Sequence, residues 1–357
     1  MIYNFGAGPA CLPQEVLNQI REDIPLWKEG MSVMEVSHRA KTFMDLSASI
    51  EDNFRQLLSV PAEFSILFMH GGARGQFSAV PLNLLGEKKS ADYIVTGVWS
   101  QMAFNEAKKY CQPHCAASSE SENFNQIPDE KTWELSSDAA YVHYTDNETV
   151  QGVEFPTTPN VNGALLVSDM TSNILSRPID FSKISLIYAS AQKNLGIAGI
   201  TVVIVRKSLL GKAHPYTPIV LDYTLTNAEK SLANTPPVFT WYVLGLMLDW
   251  MKAQGGLPAL AKTCDQKANL LYDFIDNSGF YSNPIFKPHR SRVNVPFQMN
   301  NPTLEAKFLD EADKNGFKQL KGHKLVGGCR ASIYNAMPIA GLKALIEFMQ
   351  QFQKENG

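Results

Sequence analysis

Short apolar segments alternate with longer amphipathic segments through the first two thirds of the chain. The apolar segments have the length of strands, and most are apolar on both faces, which is typical of buried parallel strands. They span residues 64–69, 91–96, 139–144, 163–170, 184–190 and 199–205. Helical patterns such as 13–29 and 40–59 accompany them, so the pattern predicts a layered α/β fold with a large, mainly parallel sheet.

A second, smaller domain is predicted towards the end of the chain. A long helical pattern closes at Gly255 and Gly256, and glycines commonly end a helix in this way. The following part mixes helical and strand-like patterns, which is typical of an α+β domain. We therefore expect a large domain at 13–256 and a small domain formed by 1–12 plus 257–357.

Composition indicates an ordinary globular protein and argues against two kinds of partner. The chain of 357 residues is 45% hydrophobic and has a formal net charge of −3. Nucleic-acid binding requires a basic excess, so we expect no nucleic acid as partner. The apolar runs are too short to span a membrane, and the N-terminal residues do not have the pattern of a signal peptide. We expect a cytoplasmic protein whose five cysteines are reduced thiols.

One short segment could bind a metal ion if only its residue types are considered. Cys111, His114 and Cys115 offer two thiolates and an imidazole within CQPHC. No second Cys/His pair follows at the spacing of a zinc finger. We therefore expect no metal site.

Lys193 has the most unusual position of any charged residue in the pattern. It lies in SAQKNLG, between two strand-like segments, where burial of an ammonium group is costly. Burial lowers the pKa of an amine, and the neutral amine is a nucleophile. Asp169 closes the preceding strand. We expect both side chains at the carboxyl edge of the sheet, where open parallel sheets bind their ligands.

A glycine-rich turn, HGGARGQ, predicts an anion site near the same edge. Backbone amides at a helix N-terminus attract an anion, and glycines let the backbone approach it closely. The glycine spacing fits neither a Walker loop nor a dinucleotide fingerprint. An amine, a carboxylate and an anion site are the three groups that pyridoxal phosphate requires for its aldehyde, ring nitrogen and phosphate.

Arginines are scarce, and three of them lie in short polar motifs. The chain has nine arginines and 23 lysines. Arg39 lies in SHRAK, Arg74 in GGARG and Arg330 in GGCRAS. Because arginine can bind a carboxylate or a phosphate through two hydrogen bonds, the three together indicate a substrate with two anionic groups. Trp99 and Thr149, which follow neighbouring strands, could contact a cofactor ring.

Eight motifs together resemble those of the phosphoserine aminotransferases. They are NFGAGPACLP, SHRAKTF, GGARGQF, NETVQGVEF, SDM, SAQKNLG, NTPPVF and GGCRASIYNA, in this order between residues 4 and 337. The resemblance implies a homodimeric transferase of fold-type I that depends on pyridoxal phosphate. It also implies the interconversion of 3-phosphohydroxypyruvate and glutamate with phosphoserine and 2-oxoglutarate, in serine biosynthesis. In many bacteria the family also aminates a four-carbon phosphorylated analogue on the pyridoxine route.

The resemblance also implies roles for individual residues. Lys193 would form the Schiff base and Asp169 would pair with the ring nitrogen. Further cofactor contacts would come from Ala73, Arg74, Trp99, Thr149 and Gln192, and from Asn234 and Thr235 of the partner subunit. Substrate contacts would come from Arg330 at the α-carboxylate, and from Arg74, His323 and the partner subunit's His38 and Arg39 at the distal anion.

Four other functions compete with this interpretation. A cysteine desulfurase or an alanine–glyoxylate aminotransferase would share the fold, but no cysteine lies in an obvious glycine-serine-rich lid, and an alanine-using enzyme would not need the arginine set. A Schiff-base aldolase would not need the anion site, and the pattern does not predict an eightfold barrel. A binding module would leave Lys193 and Asp169 without a role.

Overall fold

The computed structural model describes residues 2–357, which contain nine α-helices and fourteen strands. The helices are α1 (Gln14–Asp23), α2 (Lys41–Leu58), α3 (Gly72–Leu84), α4 (Val98–Ala107), α5 (Tyr223–Ala228), α6 (Val238–Ala253), α7 (Gly256–Ser278), α8 (Glu305–Lys314) and α9 (Ile339–Asn356). The strands are β1 (Tyr3–Asn4), β2 (Phe64–Met69), β3 (Ser90–Val95), β4 (Gln112–Ser118), β5 (Val142–Thr145), β6 (Asn147–Glu148), β7 (Val153–Glu154), β8 (Leu166–Asp169), β9 (Leu186–Ser190), β10 (Thr201–Arg206), β11 (Tyr281–Ser282), β12 (Asn294–Met299), β13 (Phe317–Lys318) and β14 (Cys329–Ser332).

Seven of these strands form one large sheet in the order β2-β10-β9-β8-β5-β3-β4. Strand β10 is antiparallel to both of its neighbours. The other neighbouring pairs are parallel. All strands except β10 therefore point the same way, and their carboxyl ends meet at one edge of the sheet. The predicted α/β architecture with a mainly parallel sheet is confirmed.

Both faces of the large sheet are covered by helices, which explains the continuous apolar runs. Every residue of β2 is buried. Ile66 and Phe68 belong to a hydrophobic cluster with residues of α2 and α6. Leu67 and Met69 point to the opposite face and belong to a cluster with residues of α3 and α4. Since side chains alternate along a strand, a strand buried on both faces is apolar at most positions, as β2 is at all but Ser65.

A smaller set of elements follows α6. Strands β11, β12 and β14 form an antiparallel sheet. Residues of α7, α8 and α9 pack around it in a separate hydrophobic cluster that includes Phe297 and Phe308. Strand β1 pairs in parallel with β13, which ties the N-terminal residues to this part of the chain. The domain limits at residues 12 and 256 stay a prediction.

Two local features differ from the sequence-based expectation. The helix predicted over 13–29 ends at Asp23, shortly before Pro25, which has no N–H to continue the helical hydrogen bonds. Residues 112–118 form the edge strand β4, which is not among the strands predicted from the apolar pattern. Edge strands are exposed and often polar, so they lack the apolar pattern of a buried strand.

The CQPHC segment lies on this edge strand. His114 Nδ1 lies 3.1 Å from Asp92 Oδ1, and Cys111 Sγ contacts the Ala107 carbonyl. Within residues 2–357, no group of three or more His, Cys, Asp or Glu side chains is arranged to hold a metal ion. Over the same residues, no helix combines the length and the apolar composition needed to cross a bilayer.

Candidate active site

The predicted cofactor residues follow the carboxyl ends of neighbouring strands. Asp169 is the last residue of β8, and Lys193 follows β9. Trp99 follows β3, and Thr149 follows β5 by a few residues. Because these strands are parallel, their carboxyl ends bring the four side chains to the same edge of the sheet.

Seven predicted residues line one cavity at this edge. They are Ala73, Arg74, Trp99, Thr149, Asp169, Gln192 and Lys193. The cavity volume is about 230 Å³. One water molecule occupies about 30 Å³ in the liquid, so the cavity has room for a small organic molecule rather than one or two waters.

Lys193 is a buried amine held by Thr149. The lysine is 7% exposed, and its Nζ donates a hydrogen bond to Thr149 Oγ1 at 2.5 Å. The same nitrogen lies 5.7 Å from the centre of the Trp99 ring. Burial lowers the pKa of Lys193 to about 8, although the negative charge of Asp169 raises it. A larger share of this amine is therefore neutral near pH 7 than in an exposed lysine, and the neutral form is the nucleophile.

Asp169 places a buried carboxyl group on the cavity wall. It is 3% exposed, and its Oδ1 accepts a hydrogen bond from the Thr171 N–H at 2.9 Å. Burial raises the pKa of Asp169, while the Thr171 hydrogen bonds and the charge of Lys193 lower it. A cation that enters the cavity would stabilise the charged carboxylate further.

The glycine-rich turn forms the N-terminus of α3. Gly71 has a φ of 90° and Gly72 a φ of 64°, a conformation that favours glycine. No side chain caps this helix. The first N–H groups of a helix have no partner inside it, so those of Gly72, Ala73 and Arg74 are available to a ligand. Together with the helix dipole they favour an anion at this end of the cavity.

Arg330 lies on β14 and reaches the same region from the smaller sheet. Its Nη1 donates a hydrogen bond to the Thr149 carbonyl at 3.3 Å. Its Nε is buried and has no hydrogen-bond partner among residues 2–357. Burial lowers the pKa of His323, and the charges of Arg330 and Lys324 lower it further.

Three predicted anion-binding arginines have no carboxylate neighbour in the described part of the chain. Arg39, Arg74 and Arg330 form no ion pair with N–O distances up to 4.0 Å, whereas five other arginines do. Arg74 contacts only the sulfur of Met102, at 4.0 Å, through its side chain. Arginines without an internal counter-ion, placed at or near a cavity, are suited to bind an anionic ligand.

Besides His323 and Arg330, four predicted residues do not line the cavity within one subunit. His38 and Arg39 lie in the turn before α2, and Asn234 and Thr235 lie in the loop between α5 and α6. Arg39, Asn234 and Thr235 are exposed. Asn234 Nδ2 lies 3.2 Å from His70 Nε2, just beyond the carboxyl end of β2.

The sequence analysis missed four residues that line the cavity, Thr145, Asn147, Thr171 and Ser172, and two that support it, Gly8 and Glu148. A Cβ atom on Gly8 would lie 3.3 Å from Cγ of Lys193, so the N-terminal segment packs directly on the reactive lysine. Glu148 accepts hydrogen bonds from the backbone N–H groups of Trp99 and Ser100, at 2.9 and 2.8 Å. Gly8 lies in NFGAGPACLP and Glu148 in NETVQGVEF, two motifs of the family resemblance. Only this membership could have indicated from the sequence that they support the site.

The comparisons with known proteins agree with this geometry. A family model, aminotransferase class-V, matches residues 2–345. The chain belongs to the class-V aminotransferase family. Phosphoserine aminotransferase from Bacillus circulans subsp. alkalophilus is 41% identical, with 100% of this chain and 99% of that chain covered and a TM-score of 0.97. PLP-bound phosphoserine aminotransferase from Trichomonas vaginalis is 41% identical, with 98% of this chain and 100% of that chain covered and a TM-score of 0.94.

A further solved structure, of a phosphoserine aminotransferase studied for radiation damage of its Schiff base, is 42% identical. It covers 99% of each chain with a TM-score of 0.97. The predicted family, the fold-type I architecture and the class of enzyme, a pyridoxal-phosphate-dependent aminotransferase, are thereby confirmed. The roles of individual residues stay predictions.

The residues at the cavity fit pyridoxal phosphate. The uncapped N-terminus of α3 offers backbone N–H groups for the phosphate. Lys193 offers an amine of lowered pKa for the aldehyde, and Asp169 offers a carboxylate for the ring nitrogen. The indole of Trp99 lines the same cavity and can cover one face of the ring.

Proposed function

We propose that this aminotransferase transfers the amino group of glutamate to 3-phosphohydroxypyruvate, reversibly, and so supplies phosphoserine for serine biosynthesis. The observation that carries the substrate assignment is that Arg74 at the cavity and Arg330 beside it have no internal counter-ion, next to a buried, nucleophilic lysine. Phosphoserine and glutamate share an α-carboxylate, an α-amine and a second anion, so one site can accept them in turn.

The chain's own residues perform the binding and proton-transfer steps. When bound, pyridoxal phosphate supplies an aldehyde that reacts with amines and a ring that withdraws electrons from the substrate α-carbon. Lys193 Nζ holds the cofactor at rest, and it moves the proton of the α-carbon after the substrate amine has displaced it. Thr149 Oγ1 keeps the lysine amine in place, at 2.5 Å. Asp169 holds the proton on the ring nitrogen.

Substrate recognition is divided between the two anionic groups. Arg330 binds the α-carboxylate, which every substrate carries. His38 and Arg39 of the partner subunit, with Arg74 and His323, bind the phosphate or the γ-carboxylate. An analogue without the distal anion forms no charge-assisted hydrogen bonds with these cations, so it binds poorly.

The substrate assignment is tested by comparing matched substrates and variants. We expect kcat/KM for 3-phosphohydroxypyruvate to exceed that for hydroxypyruvate by about 10⁴, because sites built around a polar group reject analogues without it. Glutamate should be preferred to alanine as donor. Arg39→Ala and Arg74→Ala should impair the phosphorylated substrate selectively, and Arg330→Ala should impair both. Arg21→Ala is the matched control, since Arg21 is an exposed arginine on α1. Equal use of hydroxypyruvate would contradict the substrate assignment.

We also propose a homodimer in which each active site uses residues from both subunits. This is supported by the family resemblance and by Arg39, Asn234 and Thr235, which are exposed and do not line the cavity of their own subunit. Mixing inactive Lys193→Ala and inactive Arg39→Ala subunits should restore activity, because one site of the heterodimer then contains neither substitution. Absence of rescue after verified subunit exchange would argue against shared sites.

Two further parts of the proposal concern the cellular compartment and a second substrate. All five cysteines are free thiols, which suits a reducing compartment such as the cytoplasm. The same distal arginines would also accept a keto acid one carbon longer, so we include the four-carbon phosphorylated substrate of the pyridoxine route. Subcellular fractionation and an assay with that substrate test these two points separately.

A further inference from the structure

One short segment supplies acceptors for the first turn of α4. The N–H groups of Val98, Trp99 and Ser100 have no partner inside the helix. Gln151 Oε1 accepts the N–H of Val98 at 3.2 Å. Glu148 Oε2 accepts the N–H of Trp99 at 2.9 Å, and Glu148 Oε1 accepts that of Ser100 at 2.8 Å. The start of α4, and with it the backbone of Trp99, is therefore fixed by side chains from residues 148–151.

The contact between Glu148 and α4 is closely packed and dry. Glu148 is 0% exposed, and Ser100 Oγ also donates to its Oε1, at 2.6 Å. A Cβ atom on Gly97 would lie 2.6 Å from the carboxyl carbon of Glu148, so the helix start rests directly on the carboxyl group. A change at Glu148 must therefore move the first turn of α4 or leave its donors without partners.

The same segment also holds the reactive lysine. Thr149 follows Glu148 directly and accepts the Lys193 hydrogen bond, and its carbonyl accepts a hydrogen bond from Arg330. The Trp99 ring and the Lys193 amine, which lie 5.7 Å apart, are thus both positioned by residues 148–149.

We propose that Glu148 is a positioning residue that fixes the Trp99 indole against the cofactor ring through the first turn of α4. The inference rests on the proposed function in one respect, that pyridoxal phosphate binds in this cavity. Glu148 does not line the cavity itself, so it acts through Trp99 and not by contact with cofactor or substrate.

The need for two acceptor oxygens explains why an acid occupies this buried position. Burial raises the pKa of Glu148 to about 7, although hydrogen bonds from Ser100 and Trp99 lower it. Glutamine has the same size and would avoid the desolvation of a charge. However, it offers one acceptor oxygen and an NH₂ group that would face a backbone N–H. Glutamine therefore cannot satisfy Trp99 and Ser100 in the present arrangement.

A double-mutant cycle with Glu148→Gln and Trp99→Ala tests the inference on the apoprotein. The measurement is the dissociation constant of pyridoxal phosphate, followed by visible circular dichroism of the bound cofactor. We expect Glu148→Gln to weaken binding about tenfold when Trp99 is present and less than about twofold when it is absent, since the two residues act in series. The visible circular dichroism of the single variant should also change. Ser78→Ala is the control, because it removes only the hydrogen bond of α3 to Glu106 at the other end of α4.

The outcomes separate a positioning role from a general contribution to folding. An equal loss of cofactor affinity in both backgrounds, or no loss in either, would overturn the inference. If Glu148→Gln does not fold, Glu148→Asp enters the same cycle, since aspartate keeps two acceptor oxygens on a shorter side chain. Wild-type protein that does not bind pyridoxal phosphate would overturn the proposed function and this inference with it. Normal binding by Glu148→Gln would overturn the inference alone.

Discussion

Lys193 should be the lysine of the apoprotein that reacts fastest with an aldehyde near neutral pH. Burial lowers its pKa to about 8. At pH 7 about a tenth of a group with that pKa is neutral, compared with about 0.04% of an ordinary lysine with a pKa of about 10.4. The neutral fraction alone therefore favours Lys193 by about 250-fold.

Lys267 provides an internal control for this prediction. It is 1% exposed, and burial lowers its pKa to about 8 as well. Its Nζ donates hydrogen bonds to the carbonyls of Tyr334 and Met337, at 2.6 and 3.1 Å. It does not line the cavity, so an aldehyde cannot reach it. Lys267 should therefore stay unlabelled, because a low pKa does not make an amine reactive when the aldehyde cannot reach it.

The assay is a short reaction of the apoprotein with pyridoxal, followed by borohydride reduction and peptide mapping, over pH 6–10. The label at Lys193 should rise with a midpoint near pH 8 and exceed every other site at pH 7. Equal labelling of Lys267 or of exposed lysines, or a midpoint near that of an ordinary lysine, would refute the reasoning.

Three further predictions concern the buried charges. Asp169→Asn should slow the half-reaction with glutamate by about a hundredfold or more, since removal of one partner of a buried ion pair costs about 3–5 kcal/mol. Single-turnover kinetics measure this rate, and a rate equal to that of the wild type would contradict the prediction. Lys193→Met should stabilise the apoprotein by about 2–3 kcal/mol at pH 7, because the depressed folded-state pKa makes the lysine destabilising below pH 8. The gain in the free energy of unfolding should disappear as the pH rises above 10.5. Urea unfolding measures it, and a gain that does not depend on pH would contradict the prediction. Glu154→Ala should destabilise the fold by about 3–5 kcal/mol, because it removes the buried carboxylate that contacts Arg292 at 2.8 Å and leaves Arg292 with only the more exposed Asp265. Asp45→Asn, at an exposed pair, should change stability by less than about 1 kcal/mol.

The large sheet could be predicted because its strands are buried on both faces. The pattern of β2, for example, is apolar at all positions except Ser65 and matches the observed strand at Phe64–Met69. The edge strand β4 could not be predicted, since exposure on the edge allows polar residues. Lys193 could be singled out because a lysine between two apolar segments conflicts with the local pattern.

The supporting residues of the site depend on contacts that a local pattern does not contain. Glu148 and Trp99 are 49 positions apart, and only the fold brings the carboxylate to the start of α4. Gly8 packs on Lys193 although almost the whole large sheet lies between them in sequence. The exposed Asn234 and Thr235 pose a different problem, because their proposed partners belong to another subunit.

The visible absorption spectrum of the purified protein with pyridoxal phosphate tests the central claim most directly. A cofactor joined to Lys193 should give a visible band that glutamate removes and 3-phosphohydroxypyruvate restores, and Lys193→Ala should not show this cycle. A spectrum of free cofactor that neither substrate changes would contradict the account.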